Sequence, residues 1–404
     1  MAKHLSRRWR AALLAALSVA LFGVTLRTAI QRLPWFGPWL AESLRTVLGS
    51  RTVTGLEQLW SDVEDATNRL LRARSKPRSL EQAQPTLSQP RPETARTESE
   101  PRRQDASQPG FPPRNVGAMH PQVATKSDGE WQAVVDPAHP TAQALLFATL
   151  LHPDRRRPWA EVFVVAADLQ RLQLHAVAGT VEPEAMTAEG RAYARRGLIP
   201  AAHGARLLAA FNGGFMTKHG HHGMWIDGIT LVPPQSRLCT VLGLRDAVRV
   251  GSWKSLEAEV RRAEREGQLV FWRQAAPCLL EGGAINPLLR DENVRNWGAT
   301  IDGKVVIRRS AVGLDGARRV LFVAVSNDTT ATAMANAMQH AGASDVAQLD
   351  VNWSYPKFLL FPVDANGKRH ASGLFEGFVF REDEYVQRPS TRDFFYLVLR
   401  EPDG

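Results

Sequence analysis

Cysteine is scarce in this chain, at 2 of 404 residues, and tyrosine nearly so, at 4. Two cysteines exclude a disulfide-stapled miniprotein and a Cys-rich zinc module. No G-x-G-x-x-G follows a strand-like run, no P-loop lysine motif occurs, and no G-x-S-x-G elbow is present. The usual signatures of dinucleotide binding, P-loop phosphate binding and a serine-hydrolase nucleophile are therefore missing. There is no internal repeat of useful length, which excludes a solenoid. The main body of the chain also lacks an excess of either charge. Residues 1–129 hold 19 Lys+Arg against 11 Asp+Glu, whereas residues 130–404 hold 31 against 30. A domain that grips nucleic acid needs a basic excess on its own surface. The overall net charge of +9 thus belongs to the N-terminal extension, and nucleic acid is not an expected partner.

What is present suffices for a large core. The chain is 44% hydrophobic and 23% charged, outside the range of wholly disordered chains. Its length suggests one or two domains plus tails. Lys3, Arg7, Arg8 and Arg10 precede an apolar run from Ala11 to Leu26, which reaches Ile30 if Arg27 snorkels. That order is the pattern of a targeting signal. The lack of a clean A-x-A site, apart from Ser18-Val19-Ala20 inside the run, favours an uncleaved signal anchor over a cleaved signal peptide. Residues 1–32 are expected to anchor the chain in a membrane, with the bulk of the protein periplasmic or extracellular. Residues 33–74 hold Trp35 and Trp39, suited to an interface, and an amphipathic helical pattern from Val53 to Arg74. Residues 75–129 are rich in Pro, Ser, Thr, Gln and Arg and read as a disordered linker.

From residue 130 onward, short β-branched and aromatic runs dominate. They are Glu161–Ala166, Leu172–Ala176, Leu207–Phe211, Leu238–Leu242, Val305–Ile307, Val320–Val325, Val346–Leu349, Phe358–Phe361 and Phe394–Leu399. Helical patterns are fewer: Ser255–Glu266, and Ala331–Ala341 with Thr329 or Thr330 as N-cap and Gly342 as stop. Many strands with few helices predict an α+β domain with a mixed sheet core.

Four segments carry candidate chemistry. Asn212-Gly213-Gly214 follows the apolar run Leu207–Phe211; such a turn exposes backbone amides, and the Asn amide both donates and accepts. Arg308-Arg309-Ser310-Ala311-Val312-Gly313 follows a strand-like run, and arginine suits a bidentate grip on phosphate. Asp350 stands at the end of a strand–helix–strand passage, where a carboxylate can act as acid, base or ligand. Lys218, His219, His221 and His222 crowd the loop after Asn-Gly-Gly, and histidines there suit proton transfer or metal ligation. Cys239 and Cys278 fit either one disulfide or two buried thiols.

In this order the segments resemble the phosphodiester glycosidase domain family. Members read A-x-N-G-G-F-F, and here Ala210-Phe211-Asn212-Gly213-Gly214-Phe215-Met216 is close. They read R-T-A-V-G where this chain has Arg309-Ser310-Ala311-Val312-Gly313. They end in L-D-G-G-G-S, and the matching stretch is Leu349-Asp350-Val351-Asn352-Trp353-Ser354. All three glycines are replaced, so this loop must take another course. The resemblance covers about residues 140–400 and implies a hydrolase acting on phosphodiester-linked sugars or a related envelope glycan. It makes Asp350 the catalytic carboxylate, and the chemistry of the histidine loop adds His221 or His222 to move a proton. Arg309 and Lys218 would meet phosphate, and Asn212, Gly213, Gly214, Ser310, Asn352, Trp353 and Ser354 would line the substrate. Asp227 and Asp328 are candidates for a second carboxylate. The changed glycine loop keeps open a non-catalytic glycan-binding module, or a scaffold that works through the 53–74 helix. The sequence assigns no metal and no cofactor.

Overall fold

The computed structural model describes residues 77–83, 111–135, 144–289, 297–298, 306–351, 355–364 and 366–401. The expected anchor, the 53–74 helix and Asn352, Trp353 and Ser354 lie outside these residues. Among the described residues no helix is long and apolar enough to cross a membrane.

The described strands form three antiparallel sheets, of eight, five and five strands. The eight-stranded sheet is centred on Val162–Asp168, Val320–Thr329, Ile307–Leu314 and Asp345–Gln348, paired in that order. Its residues alternate between two cores, as a period of two requires. Phe163, Val165, Val312, Leu321, Val323 and Ala347 enter a core shared with both five-stranded sheets. Val162, Val164, Ala311, Phe322, Ala324 and Val346 face the opposite way, against the helix Ala331–His340. A sheet buried on both faces needs continuous apolar strands, which is why these runs were legible. The resulting fold is mostly sheet with few helices, as the α+β expectation has it.

The helix Ala331–His340 begins where predicted. Thr330 Oγ1 caps it by accepting from Ala333 N at 3.0 Å, and Gly342 follows its end at φ +105°. Its Ala and Met residues are buried on the sheet. Gly313 permits that closeness, since a Cβ there would lie 2.6 Å from Asp345 O and 3.2 Å from Met338 Cε. The second helix, Trp253–Arg265, buries Trp253, Leu256, Val260 and Ala263, one face at helical spacing.

The first five-stranded sheet runs Ile229–Val232, Met224–Ile226, Leu269–Ala275, Cys239–Leu244, Val248–Ser252. Cys239 pairs in register with Ala275, which brings Cys278 beside it, and the two form a disulfide. This settles the alternatives left by the sequence. The other five-stranded sheet runs Ser372–Gly373, Phe358–Leu360, Leu207–Asn212, Phe394–Leu399, Leu172–Val177.

Part of the expected linker packs on the domain. Leu80 and Ala83, in a short helix, are buried in the shared core. Arg78 pairs with Glu161 at 2.6 Å. Asp128 and His152, both fully buried, meet at 2.8 Å, and Thr125 Oγ1 donates to Asp128 at 2.7 Å. Prolines near these segments suggested a tether, but the few apolar residues among them are the ones that dock.

The disulfide spans 39 positions, a loop whose closure in the unfolded chain is worth about 4 kcal/mol. Replacing Cys239 and Cys278 by serine is expected to lower stability by about that amount. Denaturant unfolding, with and without reductant, checks it: reductant should bring the wild type to the variant's midpoint and leave the variant unmoved.

Candidate functional site

The strand Leu207–Asn212 ends between two neighbours, Phe358–Leu360 and Phe394–Leu399. This pairing buries Asn212 completely. Its Nδ2 donates to Ser310 Oγ at 2.8 Å and to Gly213 O at 3.1 Å, and its Oδ1 accepts from Lys357 N at 3.3 Å. The amide of Asn212 therefore ties three chain segments together.

The two glycines are required by crowding. A Cβ on Gly213 would lie 2.2 Å from Asp393 Oδ2 and 2.4 Å from Asp393 O; one on Gly214 would lie 2.8 Å from the Arg273 guanidinium. Their amides, expected to face substrate, instead bond Asp393: Gly213 N to its carbonyl at 3.0 Å and Gly214 N to Oδ2 at 3.0 Å. Arg273 grips the same carboxylate, with Nε to Oδ2 at 2.8 Å and Nη2 to Oδ1 at 3.3 Å. Its remaining donors reach His222 O at 2.8 Å and Phe215 O at 2.7 Å. Arg273 is 1% exposed and Asp393 2%, so each needs the other's counter-charge there.

Asp350 follows the strand Asp345–Gln348 and is also buried. Its N donates to Gly213 O at 3.2 Å, and its carbonyl accepts from Ser310 Oγ at 3.0 Å. Its Oδ1 accepts from Val351 N at 2.7 Å, and its Oδ2 pairs with Arg392. The Arg392 guanidinium lies 4.2 Å from the centre of the Tyr355 ring and, at 12% side-chain exposure, reaches the surface. Burial works against the Arg392 charge, and Asp350, Tyr355, Asp393 and Glu182 together more than offset it, raising its pKa. Burial also holds the Tyr355 phenol protonated well above its usual range, helped by Asp393. Three segments far apart in sequence, around Asn212, Ser310 and Asp350, thus meet through direct hydrogen bonds.

The histidine loop divides into three roles. His222 is buried, its ring 5.2 Å from that of Phe215. Burial first, then Arg273, His219 and His221, push it down to about 3, so it stays neutral and is a packing residue. His221 is exposed in the left-handed region at φ 51°, and its carbonyl accepts from Gln235 Nε2 at 2.8 Å. His219, the histidine not chosen from sequence, feels the Asp350 charge. Partial burial lowers its pKa, with Lys218 and Arg392 in the same sense, while Asp350 and Glu182 pull it up. Lys218 is exposed beside it. Glu182 is buried, and its Oε2 accepts from Thr217 N at 2.9 Å and Glu184 N at 3.0 Å. It acts on both His219 and Arg392, and no local sequence signal marked it.

Arg309 and Ser310 leave their strand on opposite faces, so only Ser310 joins Asp350. The Arg309 guanidinium is wholly buried, with Nε to Thr329 O at 3.1 Å and Nη1 to Trp297 O at 2.7 Å and Gln348 Oε1 at 3.1 Å. Burial pushes it down to about 9, still cationic at neutral pH. Arg308 is pushed down to about 10 by burial, against the pull of Asp328. Of the two proposed second carboxylates, Asp227 sits in an exposed turn and bonds Tyr193. Asp328 lies by Arg308 within the strand Val320–Thr329. Among the described residues no group of three or more His, Cys, Asp or Glu is placed to hold a metal ion.

No protein-family model and no curated protein matches the chain. Solved structures do. One is the zebrafish N-acetylglucosamine-1-phosphodiester alpha-N-acetylglucosaminidase catalytic domain, auto-inhibited by its pro-peptide. It is 17% identical at a TM-score of 0.40, over 68% of this chain and 88% of that one. Another is a hypothetical protein from Synechocystis, 11% identical at a TM-score of 0.32, over 65% of each chain. Likenesses this distant say nothing of substrate or reaction.

Asp393→Asn leaves the Arg273 charge buried and uncompensated, and is expected to cost about 3–5 kcal/mol in denaturant unfolding. His222 makes stability depend on pH. Unfolded, it takes a proton near pH 6.5; folded, only near pH 3. Between these values the unfolded state binds more protons, so stability falls as pH drops through that window. Its share of the slope should be up to about 1.4 kcal/mol per pH unit, and His222→Phe should reduce the slope by that share in thermal melts taken from pH 7 to pH 4, leaving the part due to His175, whose pKa burial lowers to about 4.

Proposed function

We propose that this chain is a hydrolase of sugars held in phosphodiester linkage, with Asp350 as the carboxylate at the reacting carbon. The observation that carries the reading is the convergence of Asn212, Ser310 and Asp350, with the Asp350 carboxylate fixed by Val351 N and Arg392. The motif order of the phosphodiester glycosidase family supports it.

A carboxylate set against a guanidinium suits an anionic role, either attacking the sugar carbon or stabilising its oxocarbenium character. Arg392 reaches the surface from the same pair and can meet the phosphate. The bond from the sugar carbon to the phosphate oxygen breaks, and the electron pair leaves on phosphate. Phosphate is a stable anion, so its departure makes little demand on a proton donor; a neighbouring cation is the more useful group. This explains why a close pair of carboxylates need not flank Asp350. Water then supplies the oxygen to the sugar carbon, and its proton passes to His219, which Asp350 and Glu182 pull toward protonation against the burial that lowers its pKa. Asn212 holds the floor of the site, and Lys218 adds positive charge at the rim.

The Cys239–Cys278 disulfide fits an oxidising compartment. With the N-terminal signal pattern, it supports action outside the cytoplasm from a membrane tether.

The test is hydrolysis of a chromogenic sugar phosphodiester by the full-length chain. Asp350→Asn should lower kcat by about 10²–10⁴-fold with the thermal midpoint kept above the assay temperature. Arg392→Met should lower kcat and raise KM together. Wild-type turnover in a folded Asp350→Asn variant would end this reading, and sugar binding without turnover in the wild type would favour a glycan-binding module.

A further inference from the structure

Glu182 is buried, at 7% exposure, and two segments of the site meet on it. Its backbone belongs to a stretch laid against residues 390–392. Thr180 N donates to Ser390 O at 2.9 Å, and Val181 N and Glu182 N both donate to Thr391 O, at 3.1 and 2.8 Å. The approach is close enough to require glycine. A Cβ on Gly179 would lie 2.4 Å from the Arg392 backbone, and one on Gly197 would lie 2.4 Å from Ser390 O. Arg392 is thus held, through its main chain, by the stretch that carries Glu182.

The carboxylate serves a different segment. Glu182 Oε2 accepts from Thr217 N at 2.9 Å and from Glu184 N at 3.0 Å. Thr217 opens the short turn Thr217–His219, and its Oγ1 donates to Glu184 O at 3.2 Å. Its carbonyl closes the same loop by accepting from His221 N at 2.8 Å. The placement of Thr217 therefore sets that of the turn bearing His219. One residue bonds the Arg392 segment with its amide and the His219 turn with its carboxylate.

An acceptor alone would not need a charge. Glutamine offers Thr217 N the same oxygen and is less unfavourable to bury. What the carboxylate adds is its field, which favours the charged forms of both His219 and Arg392. Around His219, Asp350 acts in the same sense as Glu182, while burial, Lys218 and Arg392 act against protonation. His221 and His222 follow on the same loop.

We propose that Glu182 is a positioning residue that ties the His219 turn to the Arg392 segment and so fixes the spacing between the water-side base and the phosphate-side cation. Its charge also sets the pH range over which His219 is free to accept a proton. The inference rests on the hydrolase reading, and adds to it the residue that keeps the two halves of the site in step.

The test compares Glu182→Gln and Glu182→Ala in the full-length chain. One readout is the pH profile of kcat/KM on a chromogenic sugar phosphodiester. The other is NMR titration of imidazole-labelled histidine, with the His219 signal identified by His219→Asn. Neutral His219 takes the proton from water, so kcat/KM rises with pH as that ring deprotonates. Removing a nearby negative charge favours the neutral ring. In Glu182→Gln, the His219 midpoint and the acid limb of the profile should both move to lower pH. Glu182→Ala should move them likewise and also lower kcat by about 10²-fold, the scale of a displacement of about 1 Å at a reacting group. Glutamine, which keeps the acceptor, should recover most of that loss. A residue that only supports the fold would give a glutamine variant with the wild-type midpoint and profile. That result overturns the proposal, as does wild-type kcat in Glu182→Ala. If the alanine variant does not fold, the glutamine variant decides. The two readings fail separately. A shifted His219 midpoint with no turnover in the wild type retains the tie and removes the hydrolase; turnover with an unshifted midpoint does the reverse.

Discussion

Arg273 and Asp393 face one another where no water reaches, and the arrangement around them leaves little freedom. The carboxylate must collect enough donors to remain ionised, and it takes them from Arg273, Gly214 N and, through the neighbouring carbonyl, Gly213 N. The guanidinium must discharge its own donors on carbonyls, and it takes those of Phe215 and His222. Between them, the pair fixes where the Asn-Gly-Gly segment ends and where the histidine loop begins. Gly213 O is then in place to receive Asp350 N. The position of the candidate catalytic carboxylate thus depends on a salt bridge that never touches it.

Physical pattern explains which parts of this were legible in the sequence. The central strands are apolar on both faces, so runs such as Val320–Val325 stood out. The strand Leu269–Ala275 did not, because Arg273 and Gln274 interrupt it, and those two polar residues are there to serve the site. The motif Arg309–Gly313 read as a segment following a strand, whereas it lies inside the strand Ile307–Leu314. Its Ser310 and Gly313 answer to packing and to a hydrogen bond with Asp350 O. Asp350 and Asn212 were noticed as polar residues closing apolar runs, and both are buried. Arg392 and Glu182 were not, since neither lies in a local motif and each acquires its place only when distant segments meet. His221 and His222 were equal candidates for proton transfer; burial makes His222 part of the packing around Phe215 and leaves His221 exposed.

Net charge is near zero for residues 130–404, and among the described residues Arg273, Arg392 and Lys357, all largely buried, are each matched to a carboxylate. Reading this balance residue by residue is more informative than the total. It separates Arg392, which shares its carboxylate and reaches the surface, from Arg309, which has neither. Adjacent arginines can therefore have unrelated roles: alternation along a strand sends neighbours to opposite faces of a sheet, and Arg308 and Arg309 come to rest in different surroundings.

Residues 77–83 and 111–129 bear on where this domain begins. Leu80 fills part of the shared core, and Asp128 is the partner that His152 has inside the protein. A recombinant fragment started at residue 130, where composition changes, would lack both. It would carry a void lined by the residues that Leu80 covers, and a histidine shut away from water with its carboxylate removed. Contacts with the domain thus reach back to Arg78, well before the prolines stop.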